Sequence, residues 1–166
     1  MSQEDDLSFD VVIVGAGPAG LSAAIKLRQL VQESGHDLTV CVLEKGSEVG
    51  AHILSGAVLE PRALDELIPH WKEKGAPIQT PVASDAFYYL TKKRATKLPT
   101  PPQMHNKNNY IISLGNLCRW LGSQAEELGA DIYPGFSVAD VLYNEHDHVI
   151  GVQTTPLGLE KEGNET

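Results

Sequence analysis

The run from Phe9 to Gly20, FDVVIVGAGPAG, constrains this chain more than any other stretch. Asp10-Val11-Val12-Ile13-Val14 is mostly β-branched, as in a parallel strand buried on both faces. Ala19 to Val31 then sets Leu21, Ala24, Ile25, Leu27, Leu30 and Val31 at helical spacing, with Lys26 and Arg28 on the wet side. After the turn Gly35-His36-Asp37, LTVCVL (Leu38 to Leu43) reads as a second buried strand. The sequence strand, helix, strand is a βαβ unit, expected to be right-handed. Three glycines at its first turn have separate tasks. Gly15 permits the tight turn off the strand, Gly17 leaves no side chain in the path of a pyrophosphate, and Gly20 lets the helix pack close to the sheet. Pro18 and Ala19 complete the turn, with Pro18 at a position that needs no N–H. The free N–H groups of the first helical turn point at phosphates, helped by the helix dipole. Glu44 closes the second strand, 24 residues after Gly20, where a carboxylate accepts hydrogen bonds from adenosine ribose hydroxyls. An acid there disfavours a 2′-phosphate, so NADP is not expected. FAD and NAD both remain, since the glycines do not separate them.

With 166 residues, this is one domain or a piece of one. The hydrophobic fraction of 42% suffices for a core, which rules out a disordered chain. A formal net charge of -9 argues against nucleic acid and against an electrostatic grip on anionic lipid. Two isolated cysteines, Cys41 and Cys118, make neither a disulfide framework nor an iron–sulfur site; they read as small buried hydrophobes in a reducing compartment. The start MSQEDDLS lacks the pattern of a secretory signal or a transit peptide, and no apolar stretch approaches 18 residues.

Beyond the βαβ unit, Gly46 to Gly56 is a glycine- and serine-rich loop, and Glu60-Pro61 opens a short helix through Ile68. Gly75 to Pro81 is irregular. Ala86–Leu90 and Ala95–Leu98 read as strands around the basic turn Lys92-Lys93-Arg94, and Pro99, Pro101 and Pro102 then interrupt regular structure up to Asn109. Tyr110–Ile112 is a short strand. Leu114, Leu117, Leu121, Ala125 and Leu128 mark an amphipathic helix ended by Gly129, and Asp131–Tyr133 is a third strand. Val138–Tyr143 and Val149–Thr154 alternate as an antiparallel hairpin around Asn144–His148.

VLEKGSEVGAHILSGAVLEP, from Val42 to Pro61, resembles one flavoprotein family closely: electron transfer flavoprotein–ubiquinone oxidoreductase. HWKEKGAPIQTPV, Asn109-Tyr110-Ile111 and LGADIYPGFSVADVLY continue the pattern, so the resemblance runs from about Phe9 to Gly158. It implies an α/β fold: a Rossmann-like FAD-binding domain of the glutathione-reductase type with an antiparallel β hairpin or meander, incomplete at its C-terminus. Residues 1–8 would be a flexible start, 9–155 a partial FAD-binding domain with a proline-rich insertion at about 75–109, and 156–166 a polar tail. It further implies FAD as cofactor, reduced electron transfer flavoprotein as electron donor and ubiquinone as acceptor. A [4Fe–4S] cluster is implied for the parent enzyme, with ligands outside this chain. The implied setting is peripheral attachment to the cytoplasmic face of a bacterial inner membrane, with the matrix face of the mitochondrial inner membrane as the alternative. Carried over by motif, Gly15, Gly17 and Gly20 face the pyrophosphate; Glu44, with Lys45 beside it, faces the ribose; Gly50, Ala51, His52, Ser55 and Gly56 run along the flavin side; and Val138 touches adenine through its backbone. No catalytic side chain is implied, because the isoalloxazine does the redox work. His52 and Ser55 each have two readings, flavin positioning or loop structure.

The pattern departs at Thr155-Pro156, where the family usually has Asn-Asp, and the family's further sheet strand, flavin-side glycine motif and quinone segment have no counterpart before Thr166. The isolated chain is therefore expected not to turn over. Rival readings are a flavin enzyme of the FixC or geranylgeranyl reductase groups and a non-catalytic nucleotide-binding module. His146 and His148 read as turn residues rather than metal ligands, Arg119 as a surface side chain, and Lys92-Lys93-Arg94 as a solvated turn.

Overall fold

Strand β1 (Val11–Val14) is tied to β2 (Val40–Glu44) in parallel, with Val11 opposite Val40 and Val14 opposite Leu43. The helix between them, α1 (Pro18–Ser34), buries Leu21, Ala24, Ile25 and Val31 and ends at Gly35, whose φ of 69° gives the left-handed cap that favours glycine. This computed structural model describes residues 7–54 and 56–155. The N-terminal segment 1–6, Ser55 and the polar tail 156–166 lie outside the described residues, and with them the expectations placed there. The described residues divide into two units, one drawn from 1–54 and 118–166 and the other from 55–117.

The first unit holds the parallel sheet. Helix α3 (Leu114–Glu127), which begins in the second unit's span, leads into β8 (Asp131–Pro134). That strand pairs in parallel with the other edge of β2, giving the order β1-β2-β8. The central strand carries the core: Val40, Cys41 and Val42 are almost inaccessible. Edge strand β1 differs from the expectation of burial on both faces. Its residues alternate, with Val12 37% and Val14 57% exposed, because no described element covers that face. Two expectations for α1 also change. Leu30 is exposed, and Arg28 is not on the wet side. Its Nε donates to the Leu128 carbonyl at 3.0 Å and its Nη1 to the Leu38 carbonyl, so it ties the C-terminal end of α3 to the connection before β2. The hairpin β9 (Val138–Tyr143) and β10 (Val149–Thr154) forms as expected.

The second unit pairs β3 (Gly56–Leu59), β7 (Tyr110–Ser113) and the two-residue β4 (Thr80–Pro81) antiparallel in the order β3-β7-β4. The reading from periodicity missed β3. Helix α2 (Arg62–Leu67) leads to Trp71, which is buried, stacks edge-on against Tyr110 at 5.9 Å and donates its Nε1–H to Asp65 at 2.6 Å. Strands β5 (Phe87–Leu90) and β6 (Ala95–Leu98) form an exposed hairpin around the basic turn. At its base the Asp85 carboxylate accepts from the backbone and side-chain nitrogens of Asn106 at 2.9 and 2.8 Å.

Ile25 has no accessible surface, so Ile25→Ala should destabilise the protein by about 2–5 kcal/mol, the usual cost of a buried aliphatic truncation, measured by urea unfolding. Burial, reinforced by Asp131, pushes the Cys41 thiol up to about 11 from an ordinary value of 9.0. The folded state therefore keeps a proton that the unfolded chain has already released. The stability this thiol contributes is complete below pH 9.0 and falls as pH rises toward about 11. Unfolding midpoints of Cys41→Ala and the parent should therefore converge with rising pH across that window.

Candidate functional site

At the end of β1 the ladder to β2 continues for one more residue: Gly15 N–H donates to the Leu43 carbonyl at 2.7 Å. Gly15 has φ +100°, a conformation L side chains rarely adopt, and it turns the chain into α1. Gly17 stands at the N-cap without a side-chain hydrogen bond to the helix, and the first turn holds no acid. The first intrahelical bond runs from Leu21 N–H to the Gly17 carbonyl at 3.0 Å. Ala19 and Gly20 precede that ring, so their N–H groups have no partner one turn back in the helix.

The glycines at 17 and 20 are required for different reasons. A Cβ on Gly20 would overlap the Gly15 carbonyl oxygen and fall 3.2 Å from Ile13 Cγ2. The fold itself demands that glycine. A Cβ on Gly17 would meet no protein atom within 4 Å. Nothing in the fold needs the space beside Gly17, which lies open next to the free end of α1, as an approaching phosphate requires.

Glu44 occupies the end of β2. Its Oε2 accepts from Ala16 N–H at 2.9 Å and its Oε1 from Gly46 N–H at 2.7 Å, so the carboxylate bridges the glycine turn and the loop after β2. A carboxylate has about four lone-pair sites, so each oxygen keeps acceptor capacity for a hydroxyl. Past β8, Gly135 (φ +86°) turns the chain across this end of the sheet: Phe136 N–H donates to the Glu44 carbonyl at 2.9 Å and Gly135 N–H to the Gly46 carbonyl at 2.7 Å. The result is a cleft of about 190 Å³ at the carboxyl ends of the parallel strands, lined by Val14, Gly15, Leu43, Glu44, Lys45, Phe136, Ser137 and Val138. Of the expected residues, the structure gathers Gly15, Glu44, Lys45 and Val138 here. Phe136 and Ser137 were missed. The available signal was Gly135, a glycine directly after a third strand, where a turn aims the chain back across the sheet. The Ser137 carbonyl also accepts from Thr155 N–H at 2.7 Å, anchoring the far end of the β9–β10 hairpin beside the cleft.

The remaining expected residues lie elsewhere. Gly50 has φ +82° in a turn where Ala51 N–H donates to the Glu48 carbonyl and Ile53 N–H to the Gly50 carbonyl, each at 3.2 Å. Ala51 and His52 are exposed on that turn, in the first unit. Gly56 opens β3 in the second unit, where a Cβ would come within 2.9 Å of the Ile112 carbonyl, so strand pairing alone requires its glycine. Arg119 is paired with Glu48 at 3.7 Å. The backbone N–H groups of His146 and His148 both donate to Asn144 Oδ1, and among the described residues no group of three or more His, Cys, Asp or Glu is placed to hold a metal.

The profile of the NAD(P)-binding Rossmann-like domain family matches residues 13–80. A mitochondrial electron transfer flavoprotein–ubiquinone oxidoreductase from Dictyostelium discoideum is 60% identical over 98% of this chain and 27% of its own length. The enzyme of the same name from Pseudomonas aeruginosa is also 60% identical, over 98% of this chain and 30% of its own length. This chain is homologous to the electron transfer flavoprotein–ubiquinone oxidoreductases. It spans roughly a quarter to a third of the length of these relatives. Among solved structures, a geranylgeranyl bacteriochlorophyll reductase-like protein from Thermoplasma acidophilum superposes with TM-score 0.63 at 22% identity, over 88% of this chain and 34% of that one. The myxobacterial chondrochloren halogenase superposes with TM-score 0.57 at 20% identity, over 95% of this chain and 34% of that one. The fold is thus an α/β, Rossmann-like one with added antiparallel strands, as the resemblance implied.

The two glycines separate fold from binding. Gly20→Ala should destabilise the protein by more than about 2 kcal/mol, because backbone must move. Gly17→Ala should cost no more than about 1 kcal/mol, the scale of a poorer N-cap. Thermal unfolding of the two variants without ligand checks the order.

Proposed function

We propose that this chain holds the adenosine and pyrophosphate half of an FAD site in an oxidoreductase. The whole enzyme would accept electrons from reduced electron transfer flavoprotein and pass them to ubiquinone. The observation that carries the reading is the identity of 60% across 98% of the chain to proteins of that name, combined with a glycine turn and Glu44 meeting at the carboxyl ends of β1 and β2.

The residues present fit the cofactor. The open space at Gly17 and the free first-turn N–H groups of α1 receive the pyrophosphate; no side chain need neutralise it, because aligned amides and the helix dipole supply the positive potential. Glu44 takes the ribose hydroxyls on its unused lone pairs and repels a 2′-phosphate, which favours FAD over NADP-type ligands. Phe136, Ser137 and Val138 wall the cleft where adenine lies against backbone, and Lys45 lines it with them. Gly50, Ala51, His52, Ser55 and Gly56 retain the flavin-side assignment that family likeness gives them. When bound, FAD supplies the isoalloxazine that takes up and passes on electrons. This chain's residues bind and orient the cofactor, and none of them is assigned a catalytic proton transfer.

The finer parts of the proposal follow from the same likeness. The proposed enzyme is a peripheral membrane protein, at the cytoplasmic face in a bacterium or the matrix face in a mitochondrion. Among the described residues no helix is long and apolar enough to cross a membrane. A [4Fe–4S] cluster needs about four thiolates, and Cys41 and Cys118 are both buried and isolated, so these residues do not fit the group. Any cluster in the enzyme draws its ligands from other segments.

ADP, which carries only the adenosine and pyrophosphate, tests the site directly. Titrated into the 166-residue protein, it should shift the amide resonances of Gly15, Ala16, Gly17, Ala19 and Gly20 and of Ser137 and Val138. Shifts confined to other residues would overturn the placement. In a full-length homologue, replacing the residue aligned with Glu44 by Ala should weaken FAD by about 1–3 kcal/mol, the scale of lost hydrogen bonds to a charged group, read from flavin release on dilution.

A further inference from the structure

The Glu44 carboxylate is already engaged before any ligand arrives. Both of its oxygens accept backbone N–H groups from two separate loops, Ala16 in the glycine turn and Gly46 in the loop after β2. The loop at Gly46 is held a second time, from the other side, by Gly135 N–H on the Gly46 carbonyl. We propose that Glu44 is a positioning residue for the pyrophosphate as well as a ribose ligand: it locks the Gly15-Ala16 turn against the Gly46 loop, so that the first amides of α1 are aimed before binding. This rests on the dinucleotide reading above and adds to it a role toward a group that Glu44 does not touch.

The physical ground is the number of acceptors. Two backbone donors converge on one side chain, and only a group with two acceptor atoms satisfies both. A carboxylate does so with charge-assisted bonds. Glutamine does not in this geometry: its carbonyl oxygen stands at one of the two acceptor positions, and its NH₂, a donor, stands at the other and faces an N–H. Ribose hydroxyls, by contrast, both donate and accept, so they tolerate the amide. Glu44→Gln therefore divides the two roles, keeping shape and ribose contacts while breaking one arm of the brace. Ordering the turn in advance lowers the cost of binding, because loop entropy is lost during folding rather than at the encounter.

The experiment uses the 166-residue protein without ligand and then with inorganic pyrophosphate, which has no ribose. Hydrogen exchange should be faster by about tenfold or more at Ala16 or Gly46 in Glu44→Gln, and at both in Glu44→Ala, as expected for a lost bond to a charged acceptor. Ile13, in β1 and held by the ladder to β2, should exchange as in the parent. Pyrophosphate should shift the Gly15–Gly20 amides of the parent, and should need a several-fold higher concentration to do so in Glu44→Gln. Parent-like exchange at both amides in Glu44→Ala overturns the brace. So does unchanged pyrophosphate affinity alongside weakened ADP binding in Glu44→Ala, the result expected of a ribose ligand alone. If the parent responds to neither pyrophosphate nor ADP, the dinucleotide reading itself fails, while the exchange result still decides the brace.

Discussion

The register between β1 and β2 is the constraint on which the site depends. Val14 stands opposite Leu43, and the Gly15 N–H adds one more rung on the Leu43 carbonyl. That alignment brings Glu44 level with Gly15, so that its carboxylate reaches the N–H of Ala16 in the glycine turn. Side chains alternate along a strand, so a slip of one residue would turn Glu44 to the opposite face and leave the turn without its acceptor. The register is held by burial. Val40, Cys41 and Val42 are nearly inaccessible on the central strand.

Binding an anionic pyrophosphate on a chain of net charge -9 involves no contradiction. The groups placed to receive it are main-chain N–H donors at the start of α1, and they act at hydrogen-bond range. Surface carboxylates more than about 8 Å away are screened at physiological ionic strength. Of the acids that set the net charge, Glu44 is the one lining the cleft, and its oxygens are occupied by amide donors. The glycines make this backbone chemistry accessible. Gly15 supplies the turn, Gly20 the close approach of helix to turn, and Gly17 the open space.

Much of the secondary structure was legible because its periodicity is local. Helix α3 followed from Leu117, Leu121 and Ala125 on one face, and the β9–β10 hairpin from alternation around Asn144. Strand β3 was missed because Gly56 to Leu59 is only four residues long and follows a glycine-rich loop. Its partner β7 lies more than fifty residues away in the chain. Arg28 was misjudged for a related reason. Helical spacing gives a direction around α1 but not what stands there, and the Leu128 carbonyl that receives Arg28 is a hundred residues distant. Burial of β1 on both faces was likewise an inference from composition. Val12 and Val14 are apolar, but a strand's second face is buried only if some other element covers it.

The sequence alone determined the βαβ unit, the turn at Gly15 to Gly20 and the acid at Glu44, because each depends on residues close in the chain and on stereochemistry that few residue types satisfy. Its resemblance to one family also named the chemistry in which such a turn is used. Tertiary structure decided three further things: that Phe136 and Ser137 close the cleft, that Glu44 is bonded to both loops, and that it is the Gly15 carbonyl and Ile13 that leave no room for a Cβ on Gly20. These follow from how strands distant in sequence come to lie side by side. Hydrogen-bond partners and steric clearance are properties of that arrangement, and no local pattern of residues contains them.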